Sequence, residues 1–508
     1  MPGSNQITKN ETMMIKKYIS YSLFALLLMM GVGCDSWLDQ RPINGVVKQD
    51  FWKTKEQVRS ALMGAYASMN GNYRGYHLAE RMFVWGELRG YMVALNTGAS
   101  FDEIQVILGN IQSTNRISDW SGFYGTINLC NNVIDNGPGA LDTDPTFKVE
   151  DLNNYVAEAK AIRAMMYFYL VRSFGDIPLS IEAVDSDEDQ LTIPKTARAE
   201  VLQQIVKDLE EAEPEIYAQH ETNADSKGRM TRYAVNALQA DVYLWMENYE
   251  AAATAADKVL AGPYALVRQE NWLQEIFVQG NSQESIFEIQ YAAPQSNPFY
   301  PMFSTTIGRR YLAYPSVLEE TFGFSIDSPE DIDLRSIDAT LKSSGEIWKY
   351  IGLGPNQRRE QTDSYANWII YRLADVMLMK AEALSQIGRG EEALEIVAEI
   401  RERGGAIPET EENPSASSAN DMVRYILRER ARELAFEGKW WFDLLRVSKM
   451  NDYSNLDLLL NAAIVNAPET NLSSILNQLR DTRSHYLPIY NVELNANPLL
   501  EQNPYYLK

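Results

Sequence analysis

Apolar residues recur every three to four positions in several segments of this chain, which is the spacing typical of amphipathic helices. The clearest segment is residues 233–264, YAVNALQADVYLWMENYEAAATAADKVLAGPY. Ala240, Tyr243 and Ala252 keep the spacing of small and aromatic positions in a tetratricopeptide helix pair, and Pro263 ends the second helix. Because small residues let two antiparallel helices approach closely, this segment predicts one helix–turn–helix unit.

Three further helix pairs are predicted from the same pattern. They are residues 371–405, residues 151–173 with 199–213, and residues 55–69 with 119–136. Repeat pairs bury their apolar faces only against neighbouring pairs, so several pairs in one chain support each other. The sequence therefore predicts a mainly all-α fold, with tetratricopeptide-like helix pairs as its scaffold. The alternative is an irregular all-α domain of unrelated amphipathic helices.

Two long stretches, residues 70–115 and 265–365, show little helical periodicity and contain many aromatic residues. Within the second stretch, residues 284–292 (ESIFEIQYA) alternate in the manner of a short strand. Loops of this length in a compact protein are usually functional or carry their own structure. We therefore expect a second, loop-rich lobe with a few short strands. The predicted regions of the body are 55–264, the ligand-side insertion 265–370, and 371–508.

The N-terminal region is predicted to be a targeting segment followed by a tether. Two lysines precede an apolar run over residues 18–32, which is typical of a secretory signal peptide and short for a membrane span. Cys34 follows, and this border resembles the lipobox of bacterial lipoproteins, although Gly31 stands where an aliphatic residue is usual. We expect a signal peptide at 1–33, acylation of Cys34 and a lipidated tether at 34–54. The alternative is an ordinary signal peptide with an incidental cysteine.

The overall charge argues against one class of partner. The 508 residues carry a formal net charge of −23, and such a surface repels nucleic acid and anionic membranes. Membrane contact is therefore expected through the lipid anchor only. With Cys34 acylated, Cys130 is the one remaining cysteine in the sequence, so no internal disulfide is expected.

The sequence contains no pattern that indicates a cofactor, a metal or a catalytic centre. Its three histidines, His77, His220 and His485, lie far apart, and no Walker A, H-E-x-x-H or nucleophile-elbow pattern occurs. A glycosidase needs only two carboxylates at the right separation, so the 69 acidic residues leave that alternative open. We expect a binding protein without a cofactor rather than an enzyme.

Four stretches, in this order, resemble the RagB/SusD family of nutrient-uptake outer-membrane lipoproteins. They are CDSWLDQRP (34–42), AKAIRAMMYFYLVRSFGDIPL (159–179), ILRERARELAFEGKWWFDLLR (426–446) and LPIYNVELNANPLLEQNPYY (487–506). Tyr490 and Tyr505 depart from the proline and the glycine that are usual in the last motif. The aromatic residues of the third motif are expected to pack in the interior, because helical aromatic residues usually bury: Phe436, Trp440, Trp441 and Phe442.

The resemblance implies a function at the cell surface. A family member of this type is anchored by lipid in the outer membrane of a Gram-negative bacterium and captures oligosaccharides. It delivers them to a TonB-dependent outer-membrane barrel of the SusC-like type, over which it closes as a lid. Some members are adapted to peptides, so a peptide ligand is one alternative, and a surface glycoside hydrolase is another.

Residues that contact the ligand cannot be transferred from the family, whose ligand contacts lie in variable loops. Sugar rings present flat C–H faces that pack on aromatic rings, while polar side chains at the rim meet their hydroxyl groups. We therefore select aromatic and arginine residues from the loop-rich stretches, with plain packing as an equal alternative for each one. The predicted ligand contacts are Tyr73, Trp85, Arg89, Tyr91, Tyr300, Arg309, Tyr311 and Trp348.

Overall fold

The computed structural model describes residues 51–184, 192–304, 308–323 and 332–507. The chain divides into two units after Trp52, and the second unit, Lys53–Lys508, contains the elements named here. The helices are α1 (Lys55–Ser68), α2 (Leu78–Glu87), α3 (Phe101–Ile107), α4 (Ser121–Asn136), α5 (Val149–Phe174), α6 (Arg198–Ala212), α7 (Asn223–Gly228), α8 (Arg232–Trp245), α9 (Tyr249–Leu260), α10 (Phe299–Phe303), α11 (Leu373–Gln386), α12 (Gly390–Gly404), α13 (Ala419–Glu433), α14 (Trp440–Tyr453), α15 (Asp457–Asn466), α16 (Leu472–Arg480) and α17 (Asn491–Ala496). The strands are β1 (Asn72–Tyr73), β2 (Tyr76–His77), β3 (Val93–Leu95), β4 (Ser285–Ile289), β5 (Tyr311–Ala313), β6 (Gly352–Gly354), β7 (Gln357–Arg358) and β8 (Trp368–Arg372).

The four predicted helix pairs are confirmed. α8 packs against α9, α11 against α12, α5 against α6, and α1 against α4. The small side chains of Ala252, Ala255 and Ala256 are buried in α9, which allows close approach of its neighbours. α11 also contacts α9 and α13, so successive pairs share one continuous buried face. The predicted mainly helical, tetratricopeptide-like scaffold is therefore confirmed.

Residues 70–115 contain more helix than the sequence indicated, because α2 and α3 lie within them. All ten residues of α2 are buried, including the charged Glu80, Arg81 and Glu87. A helix that is buried on every side has no contrast between an apolar and a polar face. For that reason the hydrophobic pattern did not reveal α2.

The strands form four separate antiparallel ladders of two strands each, β1–β2, β3–β5, β4–β8 and β6–β7. The strand predicted within residues 284–292 is β4, which pairs with β8. β3 pairs with β5, so that Leu95 lies opposite Tyr311. The β3–β5 ladder thus joins residues 70–115 to residues 265–365, and the β4–β8 ladder joins residues 265–365 to the segment that leads into α11. The predicted region boundary at 370 lies inside β8, and the three regions stay predictions.

A cluster of buried aromatic rings lies beside these ladders. Ring centroids are 5.1 Å apart for Phe299 and Trp368 and 5.6 Å apart for Phe83 and Tyr311. Phe303 and Tyr350 belong to the same cluster, with centroids 5.7 Å apart. The loop-rich stretch is thus held to α2 by a large apolar core, and many of its aromatic residues have a structural role.

α13 contributes to a buried network of ion pairs. Glu433 pairs with Arg335 at 2.9 Å, with Arg372 at 2.5 Å, and with Arg403. Glu433 and Arg372 have no solvent exposure, so each charge depends on its partners for compensation. Among the described residues, no helix combines the length and the apolar character that crossing a membrane requires.

Candidate ligand-binding cavity

A cavity of about 290 Å³ lies between the segment after α2, the π-helix Val317–Phe322, and helices α13, α14 and α15. It reaches the surface, because Arg428, Asn461 and Val465 in its lining are exposed. Its apolar lining residues are Met92, Val317, Leu427, Ala431, Leu444, Leu458, Ala462 and Val465, and Trp440 and Tyr91 add aromatic rings. The lining therefore combines an apolar floor with two rings from different parts of the chain.

Trp440 forms one wall of the cavity and is partly exposed. Its indole Nε1 donates a hydrogen bond to the carbonyl oxygen of Gly90 at 2.9 Å. A Cβ atom on Gly90 would lie 2.5 Å from Cδ1 of Trp440, so this approach requires glycine. The adjacent Tyr91 has a left-handed backbone, with φ of 59°, and Asn466 donates to its carbonyl oxygen at 2.9 Å. The turn at 90–91 is thus held between α14 and α15.

Glu87, at the end of α2, holds the backbone that leads into Trp440. Its Oε1 accepts hydrogen bonds from the backbone N–H groups of Gly438 at 2.9 Å and Lys439 at 3.3 Å, just before α14 begins. Oε2 is buried and has no hydrogen-bond partner among the described residues. A Cβ atom on Gly86 would lie 1.8 Å from the carbonyl oxygen of Gly438, so the two backbones are in direct contact. This junction sets the position of Trp440 relative to Gly90.

Polar groups surround the apolar floor. Arg424, Arg428 and Arg432 contribute guanidinium groups from α13, and Glu320 contributes a carboxylate from the π-helix. Ser316 donates a hydrogen bond to Oδ1 of Asn466 at 2.6 Å, which joins the π-helix segment to α15. Within the described part of the chain, no cluster of three or more His, Cys, Asp or Glu side chains has the geometry of a metal site.

This lining can hold a flat, partly apolar molecule that carries hydrogen-bonding groups at its edge. The partly exposed indole ring offers a stacking surface, and the amide, hydroxyl and guanidinium groups offer hydrogen bonds. The third-motif aromatic residues separate into two groups here. Phe436, Trp441 and Phe442 are at most 2 % exposed, which confirms their predicted packing role. Trp440 is the exception, because the first residue of α14 faces the cavity rather than the interior.

Two of the predicted ligand contacts lie at or beside the cavity. Tyr91 lines it but is itself 4 % exposed. Arg89 lies below the surface, where it donates to the carbonyl oxygen of His485 at 2.7 Å and stacks 4.2 Å from the ring of Trp441. Burial lowers the pKa of Arg89 to about 10. Arg89 supports the turn that carries Tyr91.

Four other predicted contacts are packed in the interior, with exposed fractions of 4 % or less: Trp85, Tyr300, Tyr311 and Trp348. Trp85 stacks on Phe123 with centroids 4.5 Å apart, and the hydroxyl group of Tyr311 donates to Glu103. Trp348 donates from Nε1 to the carbonyl oxygen of Gly354 at 2.9 Å. These four side chains are buried in this structure, and ligand contact by them stays a prediction.

The last two predicted contacts, Tyr73 and Arg309, are partly exposed but do not line the cavity. The hydroxyl group of Tyr73 donates to the carbonyl oxygen of Ser68 at 3.2 Å. Nε and Nη1 of Arg309 have no hydrogen-bond partner among the described residues. The structure therefore does not bring the eight predicted contacts together in one place. Cys34, the predicted lipidation site, lies outside the described residues.

The fold and the cavity together define a class of protein. A scaffold of tetratricopeptide-like helix pairs carries a surface cavity with an aromatic wall and a polar rim, which is the architecture of a helical-repeat binding protein.

Comparison with known proteins identifies the family. Residues 336–506 match the family model described as "SusD family", and residues 36–244 match the model described as "Starch-binding associating with outer membrane". The two matches span most of the sequence and include the second, third and fourth motifs and most of the first. The chain belongs to the SusD/RagB family.

Curated relatives match over at least 80% of their own length. SusD-like protein P38 of Formosa agariphila is 27% identical over 86% of this chain and 93% of its own. SusD-like protein P2 of the same organism is 28% identical over 95% of this chain and 99% of its own. A SusD-like protein of Bacteroides ovatus is 26% identical over 82% of this chain and 80% of its own.

Solved structures share the fold. A SusD superfamily protein from Bacteroides vulgatus aligns with a TM-score of 0.73 and 20% identity, over 89% of this chain and 99% of its own. The B. fragilis protein NanU aligns with a TM-score of 0.68 and 22% identity, over 92% of this chain and 100% of its own. A Bacteroides vulgatus structure titled "Putative sugar binding protein" has a TM-score of 0.67 and 22% identity, over 90% of this chain and 99% of its own.

Proposed function

We propose that this protein binds oligosaccharides at the cell surface, in the cavity beside Trp440. The observation that carries the proposal is the lining of that cavity: a partly exposed indole ring and an apolar floor, bordered by amide, hydroxyl and guanidinium groups. A sugar ring has the matching surface, because its C–H faces pack on aromatic rings and its hydroxyl groups need polar partners. Trp440 joins Tyr91 as a proposed ligand contact.

The family supports a saccharide ligand. One matching family model is described as starch-binding, and one aligned structure is titled a sugar-binding protein. Those words describe other proteins, and they agree with the chemistry of the cavity here. A peptide ligand and a glycoside hydrolase activity are the alternatives, and each gives a different outcome in the experiments that follow.

Delivery of the ligand is the second part of the proposal. The acylated Cys34 and its tether hold the body at the outer membrane, and the body closes as a lid over a TonB-dependent, SusC-like barrel. The same family model is described as associating with the outer membrane, which supports this location. Purification of the native protein from outer membranes tests the partnership. A barrel that never co-purifies would contradict the lid mechanism.

Binding is tested with full-length protein in detergent, first on an array of oligosaccharides and peptides and then by calorimetry. The variant Trp440→Ala should lose about 1–3 kcal/mol, by analogy with stacking on other flat ligands, or roughly 5- to 150-fold in affinity. Trp440→Phe keeps a ring without the hydrogen bond to Gly90, so it should retain most of the affinity. Tyr505→Ala removes a partly exposed aromatic residue outside the cavity and is the matched control.

Each alternative has its own signature in this experiment. Equal affinities for Trp440→Ala and Tyr505→Ala would place the ligand elsewhere and overturn the proposed site. Binding of peptides alone would favour the peptide alternative. Shortened oligosaccharides that no longer appear when one carboxylate is mutated would favour the hydrolase.

A further inference from the structure

Three arginine residues of α13 follow one another at intervals of four positions along the cavity: Arg424, Arg428 and Arg432. A guanidinium group is the side chain best suited to bind a carboxylate or a sulfate, because its fork of N–H groups matches two oxygen atoms. Such a row, read from the sequence, would indicate a site for acidic sugars. Whether these guanidinium groups can bind an acidic sugar depends on the partners that each one already has.

All three guanidinium groups already have carboxylate partners. Arg424 donates to both oxygens of Asp457, at 2.7 and 2.8 Å, and to Asn455 at 2.7 Å. Arg428 donates from two nitrogens to the two oxygens of Glu412. Arg432 donates to Glu429 at 2.8 Å and to the carbonyl oxygen of Thr321 at 2.7 Å. The Arg424–Asp457 and Arg428–Glu412 pairs are bidentate and lie at the cavity rim.

The remaining charge at the cavity is negative. Glu320 lines the cavity, is exposed, and makes no hydrogen bond or ion pair with residues that the structure describes. The hydrogen bond from Arg424 lowers the pKa of Asp457, so this carboxylate stays ionised at neutral pH. An anionic ligand therefore meets neutralised arginines and an unbalanced carboxylate.

We propose that Asp457 and Glu412 are specificity-determining residues, which occupy the guanidinium groups of Arg424 and Arg428 and so restrict the cavity to uncharged sugars. This inference rests on the proposed function, since it concerns the same cavity. A sugar carboxylate or sulfate would have to displace a protein carboxylate from each arginine and would gain little by the exchange. A neutral sugar carries no charged group that competes for these guanidinium groups, so both ion pairs stay intact when it binds.

The test uses matched probes and full-length protein in detergent. Hexasaccharides of glucose, mannose and galactose are compared, by calorimetry at low and high salt, with the same hexasaccharides oxidised at C6 to uronates. In the wild type the neutral form of the sugar that binds should be at least about 10-fold tighter than its uronate, which corresponds to about 1.4 kcal/mol. The difference should shrink as salt screens the carboxylate of Glu320.

The double variant Asp457→Asn, Glu412→Gln frees both guanidinium groups and should raise affinity for the uronate by about 10-fold, because each freed fork can bind a carboxylate. Affinity for the neutral form should change by less than about 3-fold. Both substituted residues are at the surface, with exposed fractions of 48% and 35%, so folding should be kept. Glu392→Gln is the control, since it breaks the exposed Arg389–Glu392 pair outside the cavity.

Uronates that bind the wild type as tightly as the neutral sugars would overturn this inference and leave the proposed function standing. A double variant with no gain for uronates would overturn it as well. If neither form of any sugar binds, or if binding ignores Trp440→Ala, the proposed function fails and the inference fails with it.

Discussion

At the scale of single residues, Glu87 makes a structural contact and has a carboxyl group with an unusually high pKa. Burial raises the pKa of its carboxyl group to about 8, and hydrogen bonds from the backbone of Gly438 and Lys439, together with the charge of Lys349, only partly oppose this. Asp443 on α14 adds repulsion. Tyr350, next to Lys349 in the sequence, donates a hydrogen bond from its hydroxyl group to the carbonyl oxygen of Phe436 at 3.1 Å. Near neutral pH the carboxyl group is therefore mostly protonated.

The raised pKa of Glu87 predicts that the stability of the protein depends on pH. In the unfolded chain Glu87 ionises at about 4.3, whereas in the folded protein it keeps its proton to about 8. Its contribution is fully present below the unfolded pKa and is lost as pH rises through the folded pKa, by an amount on the order of a few kcal/mol. Urea denaturation at pH 5, 6.5 and 8.5 should show this loss in the wild type.

Glu87→Gln separates this effect from other titrating groups. The amide oxygen of glutamine can accept the same two N–H groups but cannot ionise. The difference in the free energy of unfolding between wild type and variant should therefore move in favour of the variant as pH rises from 5 to 8.5. If that difference is the same at every pH, Glu87 does not titrate in this range. Histidine titration, such as that of His485, cancels in the comparison.

At the scale of elements, the ion-pair network of α13 holds the C-terminal helices to the loop-rich stretch. Glu433 is shared by three arginines, and one of them, Arg372, is the last residue of β8. Replacing a buried charge leaves its partners uncompensated in a low-dielectric interior, whereas an exposed pair contributes little. The same substitution should therefore have very different costs at buried and exposed positions of this protein.

Glu433→Ala should lower the free energy of unfolding by about 3–5 kcal/mol, because it leaves three arginines without their shared carboxylate. Glu392→Ala, which removes an exposed partner of Arg389, should cost less than about 1 kcal/mol. Both values follow from urea denaturation monitored by circular dichroism. Similar costs for the two variants would mean that the network does not depend on Glu433.

At the scale of the whole molecule, the body and its tether are predicted to have separate tasks. The body carries the cavity, and Cys34 is predicted to carry the lipid. Cys34→Ala should therefore release the protein from membranes after a salt wash, while affinity for oligosaccharides stays within about 2-fold of the wild type, since two acyl anchors bind stably and an unacylated chain has none. Fractionation and calorimetry measure the two properties. Retention of the variant in washed membranes would count against acylation of Cys34.

Several features of the helical scaffold could be predicted from the amino-acid sequence, because they depend on neighbours along the chain. A helix pair needs apolar residues at a period of 3.6 and small residues at the contact, and both occur within segments such as 233–264. The charged residues of α13 and the aromatic residues after it were also recognisable as a motif. α2 was missed because it is buried on all sides and so lacks the periodicity on which the prediction depends.

The cavity, in contrast, was decided by the tertiary structure. Trp440 and Trp441 are adjacent in sequence, yet one lines the cavity and the other is 1 % exposed. The partner of Glu87 lies 351 positions away at Gly438, and the carboxylate that neutralises Arg424 lies 33 positions away. Local patterns cannot report such contacts, because exposure and charge compensation depend on which distant segments meet. The amino-acid sequence alone therefore determined the family and the helix pairs, while long-range packing decided which rings face solvent and which charges remain free.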